Sequence, residues 1–367
     1  MVYLLGFILI THGLIHLIGF LKAFCIGSHL PLKLEISRVV GTIWLLDSFL
    51  FLAAIAFKFL GLDFWVFVAG CAIILSQVLI ITAWSDAKYG TIVNIILIVL
   101  IIPFIAAQNF ERKFKRDVTR QLMSCVQNSD SLLSEKDIEH LPEPVKKYIR
   151  LSGSINHPKV KNFTVEFVGK IRSDETSAWM PFSSIQFNFL NASTRLFFMR
   201  ATMKYLPVEG YHAYKNANAS MDIRLLSLIK VQYHSGDEMN IAETVTFFND
   251  MVCMAPGTLV DPRITWDEPD ENKVEASFTT QNITIHAQLY FNDKGELVNF
   301  ISDDRYATQA DGSMKKFRWS TPVHAYKKIN DHLLPSEADA IYTYPNGDFC
   351  YGKFTVQNVK YNVVETK

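Results

Sequence analysis

Two histidines and an aspartate in the apolar first third of the chain have the clearest potential for chemistry. His12 and His16 are four residues apart, which places them on one face of a helix. Asp47 falls near the middle of the second apolar run, at the depth of His12 if the two helices run antiparallel, and Gln77 and Asn94 lie in the third and fourth runs. Ionisable groups at the centre of a spanning helix cost about 2.5–3.5 kcal/mol on insertion scales, so they usually face the bundle interior and find partners. The pattern predicts a polar cluster buried between helices.

This cluster is compatible with several kinds of chemistry and with a structural role. The chemical hypotheses are a proton relay through histidine and aspartate, a metal site with His12, His16 and Asp47 as candidate ligands, and haem ligation by two histidines. Histidines at i and i+4 of one helix can hold one metal between them, but they do not reach opposite faces of one haem. The alternative, which we favour, is a hydrogen-bonded cluster that fixes helix packing. We expect no cofactor, and haem or metal at the two histidines is the less favoured option.

Four long apolar runs position these residues. They cover residues 3–24, 36–58, 64–84 and 91–108, each close to the ~20 residues that a helix needs to cross a bilayer. Few of the 36 Lys and Arg and 36 Asp and Glu residues precede the end of the fourth run. We predict a four-helix transmembrane domain at 1–110, hence a multi-pass protein of the cell membrane with the lipid bilayer as a partner.

The even number of spans places both chain termini on the same side of the membrane. Lys and Arg residues near the helix ends are more numerous on the side of the termini than on the other side. By the positive-inside rule, this excess favours a cytoplasmic soluble domain.

Beyond the fourth run the chain turns polar and rich in strand patterns. We predict a linker with an amphipathic helix at 111–137, the helix itself at 112–127 and a polar stretch at 128–135. A β-rich open-barrel domain is predicted at 138–367.

The periodicity of the soluble part predicts an α+β domain. Alternation with period two predicts strands at 163–172, 183–190 and 282–292, and the short turn signals between strand-like runs are typical of an antiparallel meander. Helical spacing predicts helices at 219–229 and 239–254. The predicted fold class is therefore a four-helix transmembrane bundle followed by an antiparallel twisted sheet or open β-barrel, with helices that plug its concave face.

Two further helix signals precede the strands. Ser134 and Asp137 have the spacing of a capping box, and a helix is predicted at 143–151.

Aromatic and polar residues in and beside the strands are candidates for ligand binding. Plain core packing explains many of them, but a barrel interior can also hold one small ligand. The residues predicted to line a cavity are Trp179, Phe182, Phe187, Trp266 and Trp319. Those predicted to orient a polar head group are Gln186, Glu243 and Arg305, with an ion pair expected between the last two.

Several functional classes lack support in the sequence. The chain contains neither a phosphate-binding loop, nor a dinucleotide fingerprint, nor a Gly-x-Ser-x-Gly elbow, nor a His-Glu-x-x-His motif. Five cysteines have a spacing that fits neither a zinc site nor a disulfide framework. The net charge of zero gives no indication of a nucleic-acid partner.

Short motifs in a fixed order give the soluble part a family resemblance. They are Leu141-Pro142-x-Pro144-Val145-x-x-Tyr148, Trp179-x-Pro181-Phe182 with Gln186, then Glu243, Trp266, Arg305 and Gly347-Asp348-Phe349-x-Tyr351. Over about residues 138–361 the chain resembles an uncharacterised group of bacterial proteins with a β-rich domain of unknown function behind membrane helices. That domain is similar in outline to half-barrel carriers of lipoproteins and lipids. The resemblance implies a sheet around an apolar cavity, and an extracytoplasmic position that conflicts with the count of basic residues.

The hypothesis that we favour is a membrane-anchored binding module, without catalysis, for a lipid, an acyl chain or a lipidated partner. An enzyme or redox or metal protein that uses His12, His16 and Asp47 is one alternative. A protein that binds other proteins, for example in envelope assembly, is another.

Overall fold

A computed structural model describes residues 2–26, 33–125, 131–309 and 311–365. The chain forms two compact units, Met1–Phe110 and Glu111–Lys367. We call them the helical unit and the sheet unit. The predicted polar stretch at 128–135 lies partly outside the described residues.

The helical unit is built from long apolar helices. Its elements are α1 (Val2–Ala23), α2 (Arg38–Phe59), α3 (Trp65–Thr82), α4 (Trp84–Ala87) and α5 (Gly90–Ser124), the last of which continues into the sheet unit. Among the described residues, α1, α2, α3 and α5 are long and apolar enough to cross a membrane. The prediction of four such helices is confirmed.

The predicted helix at 112–127 is confirmed as far as Ser124, and α5 continues without a break from the fourth apolar run to that residue. Residues 126 and 127 lie outside the described residues. Residues 104–124 contain no glycine or proline that would end the helix. The amphipathic segment is therefore the last part of α5.

Glycines of α1 allow it to lie close to α2. A Cβ atom at Gly13 would be 2.9 Å from Cβ of Phe51, and one at Gly19 would be 2.4 Å from the ring of Trp44. Small residues at such points let two helices approach each other. This close packing brings the polar residues of α1 beside those of α2.

The described part of the sheet unit contains the end of α5, three further α-helices, one large sheet and a small two-stranded sheet. The helices are α6 (Glu135–Ile138), α7 (Glu143–Leu151) and α8 (Asp237–Met254), and a short 3₁₀ helix, Pro256–Val260, follows α8. The predicted helices at 143–151 and 239–254 are confirmed, and so is the capping box of Ser134 and Asp137.

The strands alternate in direction along an open sheet. They are β1 (Asn162–Ile171), β2 (Met180–Phe189), β3 (Thr194–Met203), β4 (Leu206–Lys215), β5 (Asn218–Leu225), β6 (Ile229–Ser235), β7 (Ile264–Trp266), β8 (Lys273–Thr280), β9 (Ile283–Phe291), β10 (Leu297–Ser302), β11 (Tyr306–Thr308), β12 (Met314–Lys316), β13 (Arg318–Ser320), β14 (Val323–Ile329), β15 (His332–Tyr344) and β16 (Gly347–Tyr361). The order is β6-β5-β4-β3-β2-β1-β16-β15-β13-β10-β9-β8-β7, with β14 beside β15 and a small separate pair, β11-β12. β6 and β7 stand at opposite ends of this order and do not pair, so the open antiparallel sheet is confirmed and the barrel is not closed.

The predicted helix at 219–229 is wrong. These residues form β5, a tight turn and the first residue of β6. Leu226 and Ser227 have positive φ angles of 54° and 57°, as in the type I′ turns that join two strands. The leucines that produced the helical spacing lie at this turn.

Over strands β2–β4, both faces of the sheet are covered by helices. The inner face, which carries Gln186 and His212, packs against α8, and the outer face packs against the end of α5. On the outer face Phe114 of α5 stacks on Phe198 with a centroid distance of 5.3 Å, and Asp117 accepts a hydrogen bond of 2.8 Å from Tyr211 Oη. The aromatic residues around β2–β4 are therefore divided between two packed layers.

Candidate functional site

A buried cluster of polar side chains lies inside the helical unit. His16 Nδ1 is 3.0 Å from Asp47 Oδ2, and His16 Nε2 is 3.0 Å from Ser76 Oγ. Ser76 Oγ is also 3.1 Å from His12 Nε2, and Asn94 Oδ1 is 3.1 Å from the same nitrogen. All five side chains are buried. Asp47 thus lies beside His16, one helical turn from His12, and Ser76 joins the two histidines.

The chemistry available to this cluster is that of a hydrogen-bonded network. Among the residues that the structure describes, no group of three or more His, Cys, Asp or Glu side chains is placed to hold a metal ion. The Nε2 atoms of His12 and His16 are both within hydrogen-bond distance of the Ser76 hydroxyl. These contacts are those of a hydrogen-bonded polar cluster between packed helices.

A second buried cluster, on the inner face of the sheet, centres on Arg195 of β3. Its Nη1 donates to Glu243 Oε2 at 3.0 Å, its Nε to Asp250 Oδ2 at 2.7 Å, and its Nη2 to Gln186 Oε1 at 2.9 Å. Asp250 Oδ2 also accepts from Gln186 Nε2 at 2.7 Å and from Asn188 Nδ2 at 3.2 Å. The side chains of Arg195, Glu243 and Asp250 are only 8 %, 2 % and 9 % exposed, so the network is largely shielded from water.

The predicted ion pair between Glu243 and Arg305 is replaced by another. Glu243 pairs with Arg195 and lies 3.3 Å from His212 Nδ1. The pairing register explains the choice, because Arg195 lies directly opposite Asn188 in the β2–β3 hairpin and so points to the same face as Gln186.

Sequence analysis missed Arg195, although a signal was present. Glu243 and Asp250 are seven residues apart, which places both on one face of α8. Gln186 and Asn188 are two residues apart in β2, so their side chains lie on the same face of the sheet. Two buried carboxylates beside two amides need a cation as a partner. The basic residue nearest in sequence to Gln186 and Asn188 is Arg195.

The two carboxylates of this cluster titrate in opposite directions. Burial alone would raise the pKa of Glu243, but the charge of Arg195 and the hydrogen bond with His212 outweigh it and lower this pKa to about 2. Burial raises the pKa of Asp250, and Arg195 offsets that effect only in part. The fold therefore favours the ionised form of Glu243, whereas burial disfavours that of Asp250.

A pH prediction follows for Glu243. Its folded pKa of about 2 lies below its ordinary value of 4.5, so its contribution of about 3 kcal/mol is complete above pH 4.5 and is lost as the pH falls toward 2. We expect Glu243→Gln to flatten the acid limb of stability between pH 5 and 2, measured by urea unfolding at fixed pH values. Glu238→Gln, an exposed position in the first turn of the same helix, is the control and should keep the slope of the unaltered protein. An unchanged slope in Glu243→Gln would contradict the assignment.

Arg305 forms a third site together with aromatic rings. Its guanidinium lies 4.5 Å from the centroid of the Trp319 ring, and its Nε donates to Tyr342 Oη at 2.9 Å. Its Nη1 donates to Ala242 O of α8 at 3.1 Å and to Thr246 Oγ1. Of the eight predicted ligand-binding residues, Arg305 and Trp319 are thus in contact.

Three of the other predicted residues are dispersed over the sheet unit. Phe182 is 5 % exposed and packs in the core against Phe354. Trp179 is half-buried, with Arg172 4.6 Å from its ring centroid, and Trp266 is half-buried in β7.

Phe187 requires a correction. It follows Gln186 in β2 and so points to the outer face, where its ring lies 6.1 Å from that of Phe114. It therefore cannot share a cavity wall with Gln186, since successive side chains of a strand point to opposite faces.

Comparison with known proteins places the sheet unit in a family. Residues 131–354 match the model of a family described as a family of unknown function, DUF6544. The chain belongs to this family. The resemblance noted from the short motifs is thereby confirmed, and the DUF6544 region contains both the Arg195 cluster and the Arg305 site.

Other comparisons add little to this assignment. No curated protein matches the chain. A crystal structure described as an outer membrane lipoprotein-sorting protein domain from Vibrio parahaemolyticus is similar, with 7 % identity over 56 % of this chain and 87 % of that chain and a TM-score of 0.35. A similarity of this size carries no argument about what the DUF6544 region binds.

Proposed function

We propose that the protein is a membrane-anchored binding module for the anionic head of an amphipathic molecule, namely a lipid, an acyl chain or a lipidated partner. In this proposal the four apolar helices cross the bilayer and make the protein multi-pass. The sheet unit supplies the binding site, at Arg305. Tethering would keep that site at a high effective concentration beside a supply of lipid.

The observation that carries the proposal is a half-buried cation with no carboxylate in direct contact, although the charge of Glu243 acts on it from a greater distance. Among the described residues, no carboxylate oxygen lies within 4.0 Å of the Arg305 guanidinium. Its partners are the neutral oxygen atoms of Tyr342, Ala242 and Thr246. Its Nη2 donates no hydrogen bond to a described residue, so the hydrogens of this nitrogen still lack an acceptor there.

The free energy of such an arrangement favours an anionic ligand. A guanidinium removed from water loses hydration that neutral oxygen atoms replace only in part. A carboxylate or phosphate oxygen of a ligand replaces the lost stabilisation with charge-assisted hydrogen bonds, and the planar guanidinium of arginine is well suited to form them. The site therefore matches the head group of an acidic amphiphile.

Aromatic rings beside Arg305 provide the apolar part of the site. Tyr342 stacks on Tyr351 with a centroid distance of 5.3 Å, and Phe317 lies edge-on to Tyr344 at 4.7 Å. Tyr351, Phe317 and Tyr344 are each half-buried, so parts of their rings remain accessible. Ligand sites combine such apolar walls with a few fixed polar groups.

The test compares two amphiphiles that differ only in charge. Dodecanoate and dodecanol are titrated into the full chain in phosphatidylcholine nanodiscs, with empty nanodiscs as the blank. One charge-assisted hydrogen bond is worth about 1.5–3 kcal/mol, so we expect dodecanoate to bind about tenfold more tightly or better. Arg305→Met should abolish this preference.

The matched control is Arg318→Met. Arg318 is half-exposed and pairs with Asp303 on the surface, so its loss should leave the preference for dodecanoate intact. Equal binding of both amphiphiles to the unaltered protein, or a preference that survives Arg305→Met, would refute the proposal. Mass spectrometry of lipids extracted from the purified protein would then identify the natural ligand class.

A further inference from the structure

An exposed apolar patch covers two neighbouring turns at one end of the sheet unit. The β3–β4 turn and the β5–β6 turn lie side by side, because Leu226 N donates a hydrogen bond of 2.8 Å to Pro207 O. Exposed apolar side chains continue from these turns into β6, which is an edge strand of the sheet. The residues of this patch, which we call the turn patch, are Tyr205, Leu206, Leu228, Ile229, Val231 and Tyr233.

The exposure of the turn patch is large, and the turn geometry does not explain its residue types. Tyr205 is 98 % exposed and Ile229 is 58 % exposed. Lys204 and Tyr205 have positive φ angles of 47° and 69°, a conformation for which hairpin turns prefer asparagine and glycine. Contiguous exposed apolar residues commonly mark a surface that meets a protein or a membrane. The turn patch therefore has the character of a contact surface.

Basic side chains accompany the apolar ones. Lys204 is exposed in the first turn, and Lys230 is exposed after the second turn, with its ammonium 4.9 Å from the centroid of the Tyr233 ring. The segments 200–208 and 223–234 contain no Asp or Glu. Tyrosine and aliphatic side chains beside lysines suit the interfacial layer of a bilayer that contains acidic lipids.

The contacts of α5 within the sheet unit show which end of the unit carries the turn patch. Glu111, where α5 enters the unit, lies 2.8 Å from Arg200, close to the β3–β4 turn. Asp117 lies farther along α5 and accepts a hydrogen bond of 2.9 Å from Lys215, the last residue of β4. This segment of α5 therefore runs from the turn patch toward the opposite end of the sheet unit. The chain that precedes Glu111 is the fourth apolar run, residues 91–108.

We propose that the turn patch docks on the surface of the lipid bilayer. Its apolar side chains lie among the lipid head groups, and Lys204 and Lys230 lie near the phosphates of acidic lipids. The proposal rests on the membrane anchoring described under the proposed function, but not on the binding site at Arg305. Because the sheet unit is tethered to the apolar helices, docking is an intramolecular step, and a weak attraction is sufficient to populate it.

The test measures the contact of one added tryptophan with lipid. Tyr205→Trp is made in the full chain, which is reconstituted as single copies in nanodiscs of phosphatidylcholine and phosphatidylglycerol. Part of the lipid carries bromine atoms on the upper acyl carbons, which quench tryptophan fluorescence on contact. The unaltered protein in the same nanodiscs is the blank. We expect the emission added by Tyr205→Trp to lose at least half of its intensity.

Two further reporters locate the contact. Leu228→Trp places the reporter in the neighbouring turn, so it should be quenched to a similar degree and also replaces Tyr205→Trp if that variant fails to fold. Asn218→Trp is the matched control, because Asn218 is exposed in the turn at the opposite end of β4 and β5. The emission that it adds should keep its full intensity.

The lysines are tested in the Tyr205→Trp chain. Adding Lys204→Gln and Lys230→Gln should reduce the quenching in nanodiscs that contain phosphatidylglycerol, because two attractions to acidic lipid are lost. Lys294→Gln, at an exposed turn between β9 and β10, should leave the quenching unchanged. Arg305→Met should also leave it unchanged, which separates docking from the amphiphile site.

Two results would overturn the proposal. If the added tryptophans at 205 and 228 keep their emission, the turn patch does not touch lipid, and a protein partner becomes the better candidate for it. If Asn218→Trp is quenched equally, the sheet unit approaches the bilayer without a preferred face. The native tryptophans of the helical unit, Trp44, Trp65 and Trp84, report separately on the anchor. Their quenching in the unaltered protein distinguishes a failure of docking from a failure of anchoring.

Discussion

Replacing Arg195 with methionine is expected to lower the free energy of unfolding by about 3–5 kcal/mol. Methionine fills a similar volume but leaves the carboxylates of Glu243 and Asp250 without their cation in a region closed to water. Removing one member of a buried ion pair costs more than the pair contributes, because the other charge stays buried. Urea unfolding of the full chain in detergent, followed by the circular dichroism of the sheet, measures the effect.

Neutralising the whole cluster should reverse most of this loss. In the triple variant Arg195→Met, Glu243→Gln, Asp250→Asn no charge remains to be compensated, so we expect a stability much closer to that of the unaltered protein. Arg318→Met, which breaks a surface pair, should cost no more than about 1 kcal/mol. A small effect of Arg195→Met alone would show that water reaches the cluster.

Elements with a local signal were predictable from the sequence. The strand at 283–291 alternates apolar and polar residues, and α8 has an apolar stripe that ends before Pro256. The segment 219–229 misled the prediction because its leucines have helical spacing, while the turn depends on positive φ angles at Leu226 and Ser227, neither of which is a residue type typical of such turns. A pattern read over one segment cannot detect that the neighbouring strand offers a pairing partner.

The polar sites were predictable only in part, for a related reason. Gln186 and Glu243 were recognised as polar residues among apolar ones, but their partner Arg195 depends on the register of the β2–β3 hairpin. Phe187 shows how strongly such a prediction depends on the position in the strand, because a shift of one residue moves a side chain to the other face of the sheet. The burial of a polar side chain can be inferred from the apolar residues around it in the sequence. Its hydrogen-bond partner can be identified only once the pairing of the strands is known.

The helical cluster was easier to find because polar residues are rare in apolar runs. His16 and Asp47 were recognised by type alone, and the structure places their side chains 3.0 Å apart. Ser76 was missed because serine is not costly in a spanning helix and so gives no signal. It is nevertheless the residue that joins the two histidines.

Replacing His16 with phenylalanine should destabilise the helical unit by about 1–3 kcal/mol, the cost of leaving a buried polar group without its partner. Asp47 is 0 % exposed and would lose its nearest basic partner, and Ser76 would lose one of its hydrogen bonds. Denaturation by sodium dodecyl sulfate, followed by the helical circular dichroism signal, measures the change. Thr42→Val, an exposed position on α2 that bonds only to its own helix, should have little effect.

The double variant His16→Phe, Asp47→Leu tests whether helix packing requires the pair. If the loss in His16→Phe comes only from the unpaired Asp47, removing both polar groups should restore most of the stability, because no uncompensated polar group is left and the apolar side chains pack against Trp44 and Phe51. A double variant as unstable as the single one would mean that the network through Ser76, His12 and Asn94 depends on His16 itself, as the packing interpretation expects. A double variant that regains its stability would show that the fold does not require the pair, so proton transfer through His16 and Asp47 would become the better explanation of these two residues.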